Sequence, residues 1–337
     1  MKRVFITGTA GFIGFHLAKL LLSEGFTVHG YDGMTDYYDV ELKRSRHQTL
    51  LQNQNFSKTQ DMLENQEVVD QTIDNFAPDI IVHLAAQAGV RYSLENPRAY
   101  LDSNIIGTFN IMEAARRNKV DHLLMASTSS VYGANTHMPF SELEKVDTQL
   151  TIYAATKKAN ESMAHSYAHL WDLPTTMFRF FTVYGNWGRP DLAFFKFVDA
   201  ILDGRPIDIY NYGDMYRDFT HVSDLVRGIR LLIDVVPQRP ESPEDISELD
   251  SLSPVAPFRV VNIGNSEKVR LMDFIKAIEV SLGMEAKKNF MPMQTGDVPA
   301  TWADTRLLEE LTGYQPKTDY RDGIDSFVKW FRDFYQK

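Results

Sequence analysis

The feature that most constrains the fold is a glycine-rich turn near the start of the chain, from Gly8 to Gly14. It follows the apolar run Val4-Phe5-Ile6 and opens a helical pattern of apolar residues, which predicts a strand, a turn and a helix in succession. A helix N-terminus facing a strand end offers free N–H groups and the positive end of the helix dipole to a diphosphate, and glycines let the backbone approach closely. The residues predicted to bind a dinucleotide here are Gly8, Gly11, Phe12, Ile13 and Gly14.

The residues after this helix favour NAD as the dinucleotide. Thr27 to Tyr31 predicts a second strand, and Asp32 stands at its end, where a carboxylate accepts hydrogen bonds from ribose hydroxyls and repels a 2′-phosphate. The spacing G-x-x-G-x-x-G is less common than G-x-G-x-x-G. The alternative interpretation is an ordinary βα turn in which three glycines only relieve crowding.

Composition excludes several classes of function. The chain has 337 residues, of which 44% are hydrophobic and 24% charged, as expected for one large domain or two closely packed ones. The net charge of −10 argues against a nucleic-acid surface or a polybasic membrane patch, and the absence of cysteine excludes disulfides and thiolate zinc sites. No signal peptide or membrane span is expected, so the predicted location is the cytoplasm.

Two stretches after Asp32 are ambiguous. The polar run from Thr35 to Asn53, which contains Lys43, is compatible with a solvated helix or with a wall of the cofactor site. Asp61 and Met62 stand where the third strand of such a sheet would end. There the carboxylate could accept the adenine amino group while the next side chain packs on the ring, but a plain loop carboxylate fits the spacing nearly as well.

Alternating strands and helices predict an α/β fold with a doubly wound parallel sheet. The run from Asp79 to Leu84 is continuously apolar, as in strands that are buried on both faces. It is followed by small residues, and their place at a strand's carboxyl end predicts that Leu84, Ala85 and Ala86 border the cofactor. A helical stretch from Pro97 to Arg117 and a buried strand from His122 to Ala126 continue the alternation.

A hydroxyl cluster and a Tyr-Lys pair follow this strand. Ser127 to Gly133 carries the hydroxyls, and a helical pattern sets Tyr153 and Lys157 one turn apart on the same face. A tyrosine with its usual pKa of about 10 is a poor base at neutral pH. A neighbouring ammonium stabilises the phenolate, so the pair predicts a general base, although Y-x-x-x-K alone also occurs by chance.

Taken together, these motifs resemble the extended short-chain dehydrogenase/reductase family over nearly the whole chain. The resemblance implies a Rossmann domain, bound NAD and a catalytic hydroxyl at Thr128, beside the base Tyr153. It also implies that Lys157 holds the nicotinamide ribose and that Asn104 belongs to the cofactor site. The matching positions are Gly8-x-x-Gly11-x-x-Gly14, Asp32, Asp61-Met62, Leu84 to Ala86, Asn104, Ser127 to Gly133 and Tyr153-x-x-x-Lys157.

Within that family, the chain is most similar to nucleotide-sugar 4-epimerases that act on UDP-glucuronate. Ser129 and Ser130 stand where dTDP-glucose dehydratases carry Asp-Glu, and Thr182 stands where UDP-galactose 4-epimerases usually carry Asn. The resemblance implies interconversion of UDP-glucuronate and UDP-galacturonate through a 4-keto intermediate. The alternatives are a UDP-glucose/galactose 4-epimerase, a UDP-glucuronate decarboxylase and, more remotely, a non-catalytic NAD-sensing protein.

The substrate site is expected mainly in the second half of the chain. The predicted division is a Rossmann domain over 1–180 and a nucleotide-sugar-binding lobe over 181–337, with a possible return of the chain to the first domain. The resemblance also implies a homodimer that pairs through the helix of Tyr153 and the helix from Pro97 to Arg117. Asn186 replaces the proline usual in these subgroups. The candidate substrate residues are Arg91, Ser129, Ser130, Thr182, Arg189 and Arg217; no metal ligand is proposed.

Overall fold

The centre of the molecule is a seven-stranded parallel sheet, seen in a computed structural model that describes residues 2–337. Its order, β11-β6-β5-β4-β1-β2-β3, reverses direction at β1, which lies between β2 and β4. Open α/β sheets bind ligands at such a switch point, outside the carboxyl ends of the strands. The strands are β1 (Arg3–Thr7), β2 (Thr27–Tyr31), β3 (Phe56–Thr59), β4 (Ile80–His83), β5 (His122–Thr128), β6 (Thr175–Phe180) and β11 (Phe258–Ile263).

Helices cover both faces of the sheet because its strands are apolar on both sides. In β1, Val4 and Ile6 join the core under α1 and α9, whereas Phe5 joins the core under α3, α6 and α7. The predicted doubly wound α/β fold is therefore confirmed. The helices are α1 (Phe12–Ser23), α2 (Val40–Leu50), α3 (Gln66–Phe76), α4 (Tyr92–Glu95), α5 (Pro97–Tyr100), α6 (Thr108–Asn118), α7 (Ile152–Trp171), α8 (Ala193–Leu202), α9 (Val222–Leu232), α10 (Leu271–Leu282), α11 (Arg306–Thr312) and α12 (Tyr320–Tyr335).

A smaller lobe stands beside the carboxyl edge of the sheet. Its core consists largely of aromatic and aliphatic side chains from α8, α10 and α12, among them Phe194, Phe274 and Phe327. Seven short strands form three small sheets around it. They are β7 (Thr182–Tyr184), β8 (Ile207–Ile209), β9 (Tyr216–Arg217), β10 (Phe219–His221), β12 (Val269–Arg270), β13 (Lys288–Phe290) and β14 (Ala300–Thr301).

The chain returns twice to the central sheet after residue 180, where the predicted domain boundary falls. Helix α9 packs on α1, and β11 pairs with β6 from Phe258↔Thr175 to Ile263↔Phe180. The second part of the chain therefore completes both the edge of the sheet and one of its helical layers.

The helical stretch predicted from Pro97 to Arg117 is interrupted. Between α5 and α6, Leu101–Gly107 forms a π-helix, in which backbone hydrogen bonds span five residues instead of the four of an α-helix. Asn104 lies in this turn, and its side chain accepts from Gln87 N (2.8 Å) and donates to Gln87 O (3.1 Å). Through Asn104, the widened turn holds the loop that follows β4.

Candidate active site

A cleft of about 580 Å³ lies at the switch point of the sheet, between the carboxyl ends of the strands and the small lobe. This volume is within the range of small-molecule and cofactor sites. Most of the residues predicted for the cofactor and for catalysis border it. They are Gly8, Gly11, Phe12, Ile13, Gly14, Asp32, Lys43, Met62, Leu84, Ala85, Ala86, Thr128, Tyr153 and Lys157, together with the predicted substrate residue Arg189.

The three glycines of the turn, Gly8, Gly11 and Gly14, stand where a side chain would not fit. A Cβ on Gly14 would lie 2.1 Å from Gly8 O, one on Gly11 would lie 2.9 Å from the same oxygen, and Gly8 itself has a φ of +80°. The first N–H groups of α1 have no acceptor within the helix, and they border the cleft. This arrangement fits a dinucleotide diphosphate, because the bare backbone admits close approach and the N–H groups bind an anion.

Backbone hydrogen bonds fix Asp32 at the end of β2. One carboxylate oxygen accepts from Ala10 N (2.9 Å) and the other from Met34 N (2.8 Å). The carboxylate is thus held at the border of the cleft, where it would meet the ribose of a bound dinucleotide.

The polar run after Asp32 forms a wall of the cleft. This favours a wall over a solvated helix, the two interpretations of the run. Thr35, Tyr37, Tyr38 and Lys43 border the cleft, and the Lys43 ammonium donates to Thr35 and lies 4.4 Å from the Tyr38 ring centre. Burial lowers the pKa of Lys43. Neither Tyr37 nor Tyr38 was singled out as a site residue, although both lie in the run for which the wall was one interpretation.

Two predicted cofactor residues do not border the cleft. The carboxylate of Asp61 accepts from Met62 N (2.7 Å), and of these two neighbours only Met62 borders the cleft. Asn104 forms hydrogen bonds with the Gln87 backbone, as described above. Asp61 and Asn104 as cofactor ligands stay predictions. Gln87 itself borders the cleft and was missed, although it follows directly after the predicted small residues Leu84 to Ala86.

Helix α7 carries Tyr153 and Lys157 into the cleft. It begins beside Thr151, whose hydroxyl caps the helix by accepting from Ala154 N (3.2 Å). Lys157 donates to Ala126 O (2.9 Å) at the end of β5, and its burial lowers the pKa to about 8. Burial raises the pKa of Tyr153, whereas a hydrogen bond with Thr128 acts in the opposite direction.

The predicted hydroxyl cluster begins at the last residue of β5. Thr128 Oγ1 accepts from Ser130 N (3.2 Å) and donates to Ser130 Oγ (3.3 Å). Ser129 and Ser130 belong to a single 3₁₀ turn, Ser129–Tyr132, and neither borders the cleft. The structure therefore brings Thr128 together with Tyr153, whereas contacts of Ser129 and Ser130 with substrate stay predictions.

Arg189 is the one predicted substrate residue that borders the cleft. It forms a two-bond ion pair with Asp191, with 3.0 Å between Nε and Oδ1. Burial alone would lower the pKa of Arg189, but the charge of Asp191 raises it, so the guanidinium stays cationic. A half-buried guanidinium at the border of the cleft suits an anionic group of a ligand.

The other two predicted arginines hold one segment of the lobe. Arg91 lies 3.5 Å from the carboxylate of Asp297 and stacks over the Tyr210 ring, 4.6 Å from its centre. Arg217 donates to Val298 O (2.8 Å) and Pro299 O (3.2 Å), and burial lowers its pKa. Neither residue borders the cleft, and Thr182 does not either, so their contacts with substrate stay predictions.

The cleft also has an aromatic and apolar border that sequence reasoning did not assign to the site. Phe180 ends β6, and the rule that ligands bind at the carboxyl ends of parallel strands would have found it. The further unassigned residues bordering the cleft include Leu63, Tyr92, Phe181, Val183 and Leu192.

The described residues contain neither a metal-binding cluster nor a membrane-spanning helix. Within residues 2–337, no group of three or more His, Cys, Asp or Glu side chains is placed to hold a metal ion. Asp224, which follows His221 at a metal-like spacing, instead accepts from Tyr314 OH (2.8 Å) and Thr318 N (2.8 Å). In the part of the chain that the structure describes, no helix has the length and apolar character needed to cross a bilayer.

Residues 4–246 match the model of the NAD dependent epimerase/dehydratase family, described as Epimerase. The chain belongs to this family. The match contains the glycine turn, Asp32, Thr128, Tyr153 and Lys157, and it confirms the resemblance that these motifs indicated. NAD is the cofactor that the family name specifies, and the glycine turn and Asp32 fit it.

Proteins of known name match over almost the whole chain. A probable UDP-glucuronate 4-epimerase of Rhizobium meliloti (strain 1021) is 53% identical over 335 residues, covering 99% of this chain and 98% of the relative. UDP-glucuronate 4-epimerase 4 of Arabidopsis thaliana is 41% identical, covering 98% and 76%. The crystal structure of UDP-glucuronic acid 4-epimerase from Bacillus cereus, in complex with UDP-glucuronic acid and NAD, matches with a TM-score of 0.87 and 30% identity, covering 99% of this chain and 100% of that one.

Proposed function

We propose that this protein is an NAD-dependent UDP-glucuronate 4-epimerase, which interconverts UDP-glucuronate and UDP-galacturonate. The relatives described above support the substrate, since two of them carry this name and the third was crystallised with UDP-glucuronic acid. The observation that carries the chemistry is the phenol of Tyr153, which shares one cleft with Thr128, Lys157 and the glycine turn.

In this mechanism, Tyr153 moves the proton of the sugar's 4-hydroxyl. NAD, when bound, supplies the acceptor and donor of hydride for C4, and its positive ring favours the phenolate. Tyr153 takes the hydroxyl proton as C4 becomes a ketone, and it returns that proton when the hydroxyl forms again. The ammonium of Lys157 stabilises the phenolate, and the hydroxyl of Thr128 donates a hydrogen bond to the reacting oxygen.

Inversion at C4 requires the 4-keto sugar to turn over while the nucleotide stays bound. We assign firm binding of the diphosphate to two arginines. The sugar ring must be held more loosely, so that it can turn over. Arg217 and Arg189 are the candidates, because guanidinium groups fork to two oxygens of a phosphate or carboxylate.

A 4-keto uronate is a β-keto acid and is prone to lose carbon dioxide. In that side reaction the C5–C6 bond breaks, carbon dioxide leaves, and its bonding electrons enter the enolate of the ketone. We assign Ser129, Ser130 and Thr182 to holding the carboxylate, so that the breaking bond stays near the carbonyl plane, where its overlap with the π-system is poor.

The direct test incubates the purified protein with UDP-glucuronate and without added NAD. We expect UDP-galacturonate by ion-exchange chromatography, and the same final mixture when the reaction starts from UDP-galacturonate. A UDP-pentose as the main product would instead indicate a decarboxylase. Turnover of UDP-glucose alone would indicate a neutral-sugar epimerase, and NAD binding without turnover of any of these would indicate the sensor.

The resemblance to the family also carries the proposal of a homodimer in the cytoplasm. Large apolar side chains are exposed on the π-helix, α6 and α7, which are the elements expected at the seam. Their exposed fractions are 47% for Leu101, 47% for Ile106, 41% for Phe109 and 64% for Leu170.

A further inference from the structure

The loop that leads to Arg189 is held by two side chains from the first part of the chain. Three consecutive carbonyls, those of Asn186, Trp187 and Gly188, each accept a hydrogen bond. His16 Nε2 lies 2.8 Å from Asn186 O, and Arg46 Nη2 lies 2.6 Å from Trp187 O and 3.3 Å from Gly188 O. Because a carbonyl can only accept, His16 carries its proton on Nε2.

The same Arg46 guanidinium also holds the glycine turn. Its other terminal nitrogen, Nη1, donates to Ala10 O (2.7 Å) and to the hydroxyl of Tyr38 (2.8 Å). Ala10 lies inside the turn that is predicted to bind the diphosphate, and Tyr38 borders the cleft. One planar group therefore connects the cofactor turn to the loop that carries a predicted substrate residue.

Arg46 is a buried cation with no charged partner. Its side chain is fully buried, and all of its acceptors are uncharged. Among residues 2–337, no carboxylate forms an ion pair with it, and its Nε has no acceptor. Burying an unpaired charge is costly, so a fold that keeps one must offset the cost by other means. An anionic diphosphate at the neighbouring turn would supply the missing negative charge.

We propose that Arg46 is a positioning residue that couples cofactor retention to the placement of Arg189. This inference rests on the proposed function in one respect, the role of Arg189 in binding substrate. The part that concerns cofactor retention does not depend on it. A dinucleotide at the turn stabilises the guanidinium, and the guanidinium in turn fixes the carbonyls that precede Arg189. Because Arg46 binds both the glycine turn and the loop before Arg189, the binding of a ligand at one of them favours the binding of a ligand at the other.

The first test measures how fast the purified holoprotein loses NAD, with released NAD removed by a consuming enzyme. We expect Arg46→Met to accelerate the loss about tenfold, as for a lost charge-assisted hydrogen bond, and Arg46→Lys to give a smaller increase because it keeps the charge but not the fork. The matched control is Arg44→Met, on the same helix, where Arg44 is exposed and pairs only with Glu41. NAD loss from folded Arg46→Met at the rate of the Arg44→Met protein would overturn the proposal.

The second test is a double-mutant cycle between Arg46→Met and Arg189→Met on kcat/KM for UDP-glucuronate. If Arg46 acts through Arg189, the two losses are not additive, and the double variant is about as impaired as Arg189→Met alone. Additive losses would overturn the coupling. Arg46→Lys replaces Arg46→Met in both tests if the methionine variant does not fold. An unmodified protein that does not turn over UDP-glucuronate would contradict the proposed function, while the NAD-loss test would still decide the role of Arg46.

Discussion

At the scale of single residues, burial acts in opposite directions on Tyr153 and Lys157, the two side chains proposed for the base. It raises the pKa of Tyr153 and lowers the pKa of Lys157 to about 8, so burial alone favours the neutral pair. Attraction between phenolate and ammonium favours the charged pair, and this attraction is strong away from water. We therefore expect the proposed base to be active only while both groups and their neighbouring charges are in place.

Removing the phenolic oxygen tests this directly. In Tyr153→Phe, we expect kcat for epimerisation to fall by about 10³ or more, since general acid–base catalysis contributes factors of this size. The ring still packs edge-on against Tyr100, with 6.0 Å between ring centres, so the bound NAD content should not change. Both quantities are measured on the same preparation, by product chromatography and by NAD extraction. Epimerisation at the unmodified rate would remove Tyr153 from the mechanism.

The carboxylate-holding role is tested at Thr182. With Thr182→Ala, we expect the ratio of UDP-pentose to UDP-galacturonate to rise up to about tenfold, because one hydrogen bond to a charged group is lost. The control is Thr312→Ala at the end of α11, where the hydroxyl donates to Leu308 O and accepts from Tyr314 N and does not border the cleft. An unchanged product ratio would show that Thr182 does not restrain the carboxylate.

At the scale of elements, the sequence predicts best what depends on neighbouring residues. The glycine turn, the apolar strands and the helix of Tyr153 are recognised from local spacing, and all occur where expected. The π-helix Leu101–Gly107 could not be predicted, because its amphipathic pattern resembles that of an ordinary helix. Nor could the pairing of β11 with β6, since it joins residues about 80 positions apart and leaves no local signal.

The same distinction separates the two halves of the site. The cofactor side lies on long strands whose carboxyl ends share one edge, so Asp32 and Ala85 could be assigned from the order of elements alone. The proposed substrate side includes Arg217 on β9, a strand of two residues whose partners β12 and β14 are distant in sequence. That Arg217 donates to the backbone of Val298 could be seen only in the structure.

Glu142 links the segment before α7 to β11 and makes stability depend on pH. Its carboxylate accepts from Asn262 N (2.7 Å), and burial raises its pKa to about 7 from the usual 4.5. Between these values the folded protein binds more protons at this group than the unfolded chain does. Its contribution to the free energy of unfolding therefore falls as pH rises from about 4.5 to about 7.

Replacing this carboxyl by an amide should remove that dependence. Glu142→Gln keeps an acceptor for Asn262 N. We expect the substitution to change the free energy of unfolding at pH 8 more favourably than at pH 4.5, by about 1–3 kcal/mol. Urea unfolding at the two pH values measures it, with the exposed Glu248→Gln as control. An equal effect of Glu142→Gln at both pH values would refute the assignment.

At the scale of the whole molecule, the cleft and the proposed dimer seam share their elements. Helix α7 carries Tyr153 at its first turn and exposes Leu170 and Trp171 at its last, with exposed fractions of 64% and 47%. The π-helix carries Asn104 on its buried side and exposes Ile106. Large apolar side chains that are exposed together on neighbouring elements are typical of an interaction site. Dimerisation would therefore brace the helix that positions the base.

We expect Phe109→Asp to convert the proposed dimer into monomers. Phe109 lies on α6 with 41% of its surface exposed, and an aspartate at a packed seam would bury an unpaired charge. Light scattering coupled to size-exclusion chromatography measures the mass. Val280→Asp is the matched control, since Val280 is 71% exposed on α10, outside the proposed seam, and should leave the dimer intact. If the unmodified protein is monomeric, the dimer proposal is wrong. If Phe109→Asp stays dimeric, the seam lies elsewhere and α7 is not braced by a partner.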